Sequence, residues 1–160
     1  MPEQQEDLLK NLQEKDVERK LFRARKLFLW TEVDDESARA LVTRLLTLEV
    51  EDPGKEITLY INSPGGTIHD GLAIYDAIAA IRSPVSTVCV GMAASMGAVL
   101  LACGARGRRF AWPHAHNPAA NDIECGVDLA HRRIRADECD DAGQQDAVED
   151  VLRFGRGWCF

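Results

Sequence analysis

Apolar positions along the chain change period several times, and each change marks an element. Ala38, Leu41, Val42, Leu45, Leu46 and Leu48 follow the helical repeat, with Asp34 and Asp35 ahead of them as an opening signal and Asp52-Pro53-Gly54 behind them as a stop. Ile57 to Ile61 alternates and predicts a strand over 57–61. A helix is expected over 71–81, a second strand over 85–90 and another helix over 96–103. Before this series, residues 1 to about 20 are charged and glutamine-rich, with Leu8, Leu9, Leu12 and Val17 as the apolar anchors. They read as an N-terminal arm, mobile or contacting a partner, or else as a short surface helix. Residues 21–160 read as one domain. Its far end is weakly patterned: Ile123, Val127, Ala130 and Ile134 make a thin helical stripe, which Gly126 and the scarcity of leucine weaken.

Composition narrows the class. A chain of 160 residues that is 46% hydrophobic suits a single α/β domain with its own core. A net charge of −7 argues against nucleic acid, which calls for a basic stripe. Arg106, Arg108 and Arg109 alternate with glycine in a short loop that reads as a solvated turn. No apolar run reaches membrane-spanning length and no secretory leader pattern opens the chain, so a cytoplasmic location is expected. The five cysteines, at 89, 103, 125, 139 and 159, form no C-x-x-C pair. Reduced thiols are expected, with neither a metal site nor a cofactor.

Two glycine-rich turns carry the candidate chemistry. Residues 91–97 read GMAASMG directly after the 85–90 strand. This sets Ser95 on a tight strand-to-helix turn, with the Met96 amide able to point at the same spot, as a nucleophilic serine beside half an oxyanion hole requires. The spacing differs from the G-x-S-x-G elbow. On its own the segment also reads as a close-packed turn between two buried elements. The second turn, Asn62-Ser63-Pro64-Gly65-Gly66, follows the 57–61 strand, and glycine there leaves amides unobstructed. Two such units in succession can set the Gly66 and Met96 amides on opposite sides of one carbonyl oxygen.

With both turns, the stretch from LFLWTEVDDESARALVTRLL through ITLYINSPGG and GMAASMGAVLLACGARGRRFAWPHA resembles the proteolytic subunit of the ATP-dependent Clp protease, densely from about Arg19 to Ala115. The resemblance implies the spiral α/β fold of β-β-α units that this family shares with the crotonases, with residues 113–160 divergent and the C-terminal part atypical or incomplete. It also implies a serine endopeptidase in heptameric rings, fed with unfolded protein by a hexameric ATPase. ATP would bind that partner, since nothing here resembles a P-loop. By the resemblance Ser95 is the nucleophile and Gly66 with Met96 the oxyanion donors.

A serine hydroxyl needs a base, and the base an orienting acid. The family's histidine motif finds its nearest match in His116-Asn117-Pro118, across a four-residue gap. A surface histidine is the alternative reading of His116, while His114, His131 and His69 read as bystanders. The family's acid motif falls on Phe154 to Trp158, which holds no carboxylate. Asp146 and Asp150 lie off the motif, so the triad acid is unassigned. The competing reading is therefore a catalytically weak or silent ring subunit or regulator, or a truncated product that does not assemble.

Overall fold

The computed structural model describes residues 2–116. Helix α1 (Pro2–Arg23) leads into strand β1 (Lys26–Leu29), and α2 (Asp35–Glu51), β2 (Ile57–Ser63), α3 (Ile68–Ala80), β3 (Val85–Ala93), α4 (Met96–Ala102) and β4 (Arg109–Ala111) follow. The four strands form one sheet in the order β1-β2-β3-β4, and every neighbouring pair is parallel. Parallel neighbours need a crossover, and here one helix supplies each. Helices α2 and α3 touch one another, as do α3 and α4. The expected α/β class is therefore present, with one strand and one helix as the repeating unit among the described residues.

Local chemistry explains the elements. Asp34 caps α2: its carboxylate accepts from the Ser37 amide at 2.8 Å, and the Ser37 hydroxyl accepts from the Asp34 amide at 3.0 Å. Hydrogen bonds that the carboxylate accepts from Ser37, from its amide first, hold the Asp34 carboxyl below its usual range. The buried stripe of α2, Ala38, Leu41, Leu45 and Leu48, meets Leu27, Leu29, Ile57, Leu59 and Ile61 from the alternating inner positions of β1 and β2. Leu46, one step beyond the stripe, is exposed, contrary to its place in the expected apolar set. Central strand β3 is buried at every position from Val85 to Val90.

Several bounds move from those expected. Helix α3 starts at Ile68, a turn early, because Thr67 in extended geometry serves as its N-cap. The first segment is helical from Pro2 across the expected arm boundary, and the Glu18 carboxylate pairs with Arg44 of α2 at 3.0 Å. The basic glycine loop is only partly a solvated turn: Arg106 is exposed, Arg108 pairs with Glu56, and Arg109 opens β4 with its Nε donating to the Gly104 carbonyl at 2.8 Å. The Ser86 hydroxyl and then Arg108 hold the Glu56 carboxyl low.

One buried cation organises the end of the sheet opposite the glycine turns, at the amino ends of β1, β2 and β3. Arg25 has φ +58° and is 4% exposed. Its guanidinium donates to the carbonyls of Glu56, Leu48 and Lys55 and to the Ser83 hydroxyl, at 2.9–3.2 Å. Leu48 lies in the last turn of α2, which carries no basic residue of its own, so Arg25 supplies the positive charge that a helix C-terminus favours. Cys89 is buried and Cys103 half-buried, both as free thiols. Burial pushes their pKa values up to about 11 and about 12.

Candidate active site

Both glycine turns lie at the carboxyl ends of adjacent parallel strands, where open α/β sheets bind ligands. β2 ends at Ser63 and β3 at Ala93. Ser63 is fully buried and ties the turns together: its hydroxyl accepts from the Gly65 amide at 3.1 Å, and its carbonyl accepts from the Ala94 amide at 3.1 Å.

Gly65 makes the close approach. A Cβ built there would stand 2.7 Å from both the Ala94 carbonyl oxygen and Ser95 Cβ, and 2.9 Å from the Met96 nitrogen. Backbone therefore meets backbone with no room for a side chain, and the Gly65 φ of +97° suits glycine alone. Gly66 packs on the other side, against the backbone of Val33. The Val33 amide donates to the Gly65 carbonyl and the Thr67 amide to the Val33 carbonyl, each at 2.8 Å. Met96 packs its side chain on Gly71 of α3, where an added Cβ would stand 2.1 Å from Met96 Cγ and 2.4 Å from its sulfur.

Ser95 is exposed, with φ +50° and ψ −126°, and heads α4 without a side-chain capping bond. Such a backbone costs on the order of 1–3 kcal/mol in a non-glycine residue and persists where the surroundings over-determine it. Among the described residues its hydroxyl has no hydrogen-bond partner, and neither the Gly66 nor the Met96 amide donates to a backbone oxygen. Among the described residues an exposed hydroxyl, a strained turn and two amides without a backbone acceptor thus stand at the carboxyl end of the sheet.

His116 closes the described region on the opposite edge of β3. Its amide donates to the Gly91 carbonyl at 2.7 Å and its carbonyl accepts from the Ala93 amide at 3.0 Å, which pairs it with Met92. Its backbone thus hangs on the same strand end as Ser95, and its side chain is exposed. No hydrogen bond joins its imidazole to Ser95 among the described residues. His114 and His69 are also exposed. His131, Asp146, Asp150, residues 154–158 and the 122–141 stretch lie outside the described residues. Among the described residues no three His, Cys, Asp or Glu side chains cluster as metal ligands, and no helix is long and apolar enough to cross a membrane.

Sequence reasoning misses Ser63, Val33 and Gly71, which hold the turns. The signal for Gly71 is weak, since a glycine inside a helical pattern marks either a weak point or a close approach, and only the Met96 contact decides between them.

A parallel sheet whose strands run in chain order, with a helix at each crossover and two glycine turns at its carboxyl end, defines an α/β protein. The model of the Clp protease family matches residues 9–120, and the chain belongs to that family. By that membership it is a Clp-type peptidase.

Proposed function

We infer that this chain is the proteolytic subunit of an ATP-dependent serine endopeptidase, with Ser95 as nucleophile, His116 as general base and the Gly66 and Met96 amides as oxyanion donors. Ser95 Oγ attacks the peptide carbonyl while His116 accepts the hydroxyl proton and later returns it to the leaving amine. The negative charge that develops on the carbonyl oxygen meets the two amides, whose positions the Gly65–Ser95 contact fixes. The observation that carries the reading is the strained, exposed Ser95 backbone seated against Gly65. Family membership supports assembly into heptameric rings that receive unfolded protein from a hexameric ATPase.

A second reading has one observation in its favour: residues 154–158, Phe-Gly-Arg-Gly-Trp, hold no carboxylate to orient the base. In that reading the chain is a weak or silent ring subunit that works beside a complete paralogue. Fluorophosphonate labelling separates the two. Labelling of the chain alone, lost in Ser95→Ala and reduced in His116→Ala, supports an autonomous peptidase. Labelling that appears only with a paralogue supports the second reading. Undiminished labelling of Ser95→Ala would overturn both.

A further inference from the structure

The geometry points to Asn62 as a positioning residue for His116, acting through a single peptide plane; the catalytic side of this inference rests on His116 being the base.

The β2–β3 ladder is regular from Ile57↔Val85 to Ile61↔Cys89 and resumes at Ser63↔Ala93, so β3 carries a bulge of extra residues opposite Asn62. Bulges bend a strand, leave residues out of the ladder and re-aim side chains beside functional sites. Gly91 takes φ +81° in this one. Met92, turned out of the ladder, donates its amide to Asn62 Oδ1 at 3.1 Å. The side-chain oxygen replaces the strand carbonyl that the bulge removes.

That amide shares its peptide plane with the Gly91 carbonyl, and the Gly91 carbonyl accepts from the His116 amide at 2.7 Å. Asn62 and His116 therefore grip opposite ends of one peptide group, Asn62 from β2 and His116 from the far edge of β3. A peptide plane next to a glycine turns at low cost, because glycine populates positive and negative φ about equally. Without an acceptor for the Met92 amide, the plane is free to rotate and carry the Gly91 carbonyl away from His116. Hydrogen bonds on the two ends of one amide also polarise each other, so each is stronger while the other is made. Space is matched as well: a Cβ on Gly91 would stand 2.7 Å from Asn62 Oδ1, so a side chain there would expel the asparagine oxygen.

Amide hydrogen exchange on the full-length chain tests the positioning without requiring activity. Asn62→Ala removes the acceptor, and Asn62→Asp keeps one. The expected result is exchange faster by about five- to tenfold at both Met92 and His116 in Asn62→Ala, the scale of one lost hydrogen bond. Near-wild-type protection should return in Asn62→Asp, and Leu59 and Ile61 amides should be unchanged throughout. Faster exchange at Met92 with His116 unaffected would overturn the inference, as would an Asn62→Asp protein that behaves like Asn62→Ala. Fluorophosphonate labelling of the same samples reads the catalytic side. A wild-type protein that labels without need of His116 removes the base assignment, while the exchange result still decides whether Asn62 positions the His116 backbone.

Discussion

Gly65→Ala should damage this protein far more than a glycine-to-alanine change usually does, and the structure divides the damage into two parts. The first is conformational: at φ +97° an alanine backbone is strained by about 1–2 kcal/mol. The second is steric. The new methyl group would meet the Ala94 carbonyl and Ser95 Cβ at 2.7 Å and the Met96 nitrogen at 2.9 Å, and two of these are backbone atoms that no rotamer change can move. Overpacking of this kind costs about 1–3 kcal/mol. Together they predict a loss of about 2–5 kcal/mol. Gly54→Ala is the control, since Gly54 has φ +81° and nothing within 4 Å of the added Cβ. It should lose only the conformational part, at most about 1–2 kcal/mol, less what the smaller chain entropy of alanine offsets. Urea unfolding of both variants gives the free energies by linear extrapolation. The steric part also pushes the two turns apart, so fluorophosphonate labelling of Ser95 should fall in Gly65→Ala and persist in Gly54→Ala. Equal destabilisation of the two variants, with equal labelling, would refute the claim that the turns are locked by backbone contact.

Ser95→Gly should remove labelling and yet stabilise the fold by about 0.5–1 kcal/mol in urea unfolding, because relief of positive φ exceeds the added chain entropy of glycine; Ser95→Ala should be close to neutral. Arg25→Ala should cost on the order of 2–4 kcal/mol by the same measurement, since it removes a donor from four buried or half-buried acceptors, and among the described residues only the Leu48 carbonyl and the Ser83 hydroxyl keep a second one, from the Asp52 and Gly54 amides; Arg25→Lys should recover part of this, as an ammonium lacks the planar fork. The thiols predict an alkaline limb. Folded-state values of about 11 for Cys89 and about 12 for Cys103, above the usual 9.0, mean that the native state holds its protons longer than the unfolded state. Stability is then full below about pH 9 and falls as pH rises from there toward 12. Cys103→Ala should flatten that fall relative to wild type, and an unchanged slope would show that other groups govern it.

Long periodic runs are legible in the amino-acid sequence. The stripe of α2 and its Asp34 cap, the start of β2 and the buried run of β3 follow from spacing alone, because burial on one face or both writes a period into the chain. Short and polar pieces are not legible in this way. β1 and β4 have four and three residues, too few to show alternation, and β4 opens on an arginine. Gly91 reads as the opening of a turn, whereas strand geometry continues through a bulge to Ala93 because Asn62 supplies the missing acceptor. The two turns that carry Gly66, Ser95 and Met96 can be singled out because close backbone approach demands glycine, here at Gly65 and Gly66. The residues that hold them cannot, since Val33, Ser63 and Gly71 matter through partners distant in sequence. Arg25 is hidden for a related reason: an arginine between Ala24 and Lys26 reads as a solvated cation until the carbonyls around it are seen.

The strand order has a consequence for how the chain reaches its native state. Every strand pairs with the next through a helix, so contacts between neighbouring strands close long loops: Asn62 and Met92 are 30 residues apart, and Arg25 and Glu56 are 31. Loop-closure entropy rises by only about 0.6 kcal/mol for each doubling of length, so closures this similar are almost equally difficult and neither pairing has an entropic head start. The glycine turn needs both, because Gly66 rests on Val33 from one closure and Gly65 rests on Ser95 from the other. The serine therefore acquires its strained, positive-φ backbone only after two separate non-local events have taken place. Chain emerging during synthesis, or partly unfolded, holds an ordinary serine with no turn to strain it, and the proposed nucleophile takes shape only as the fold is completed.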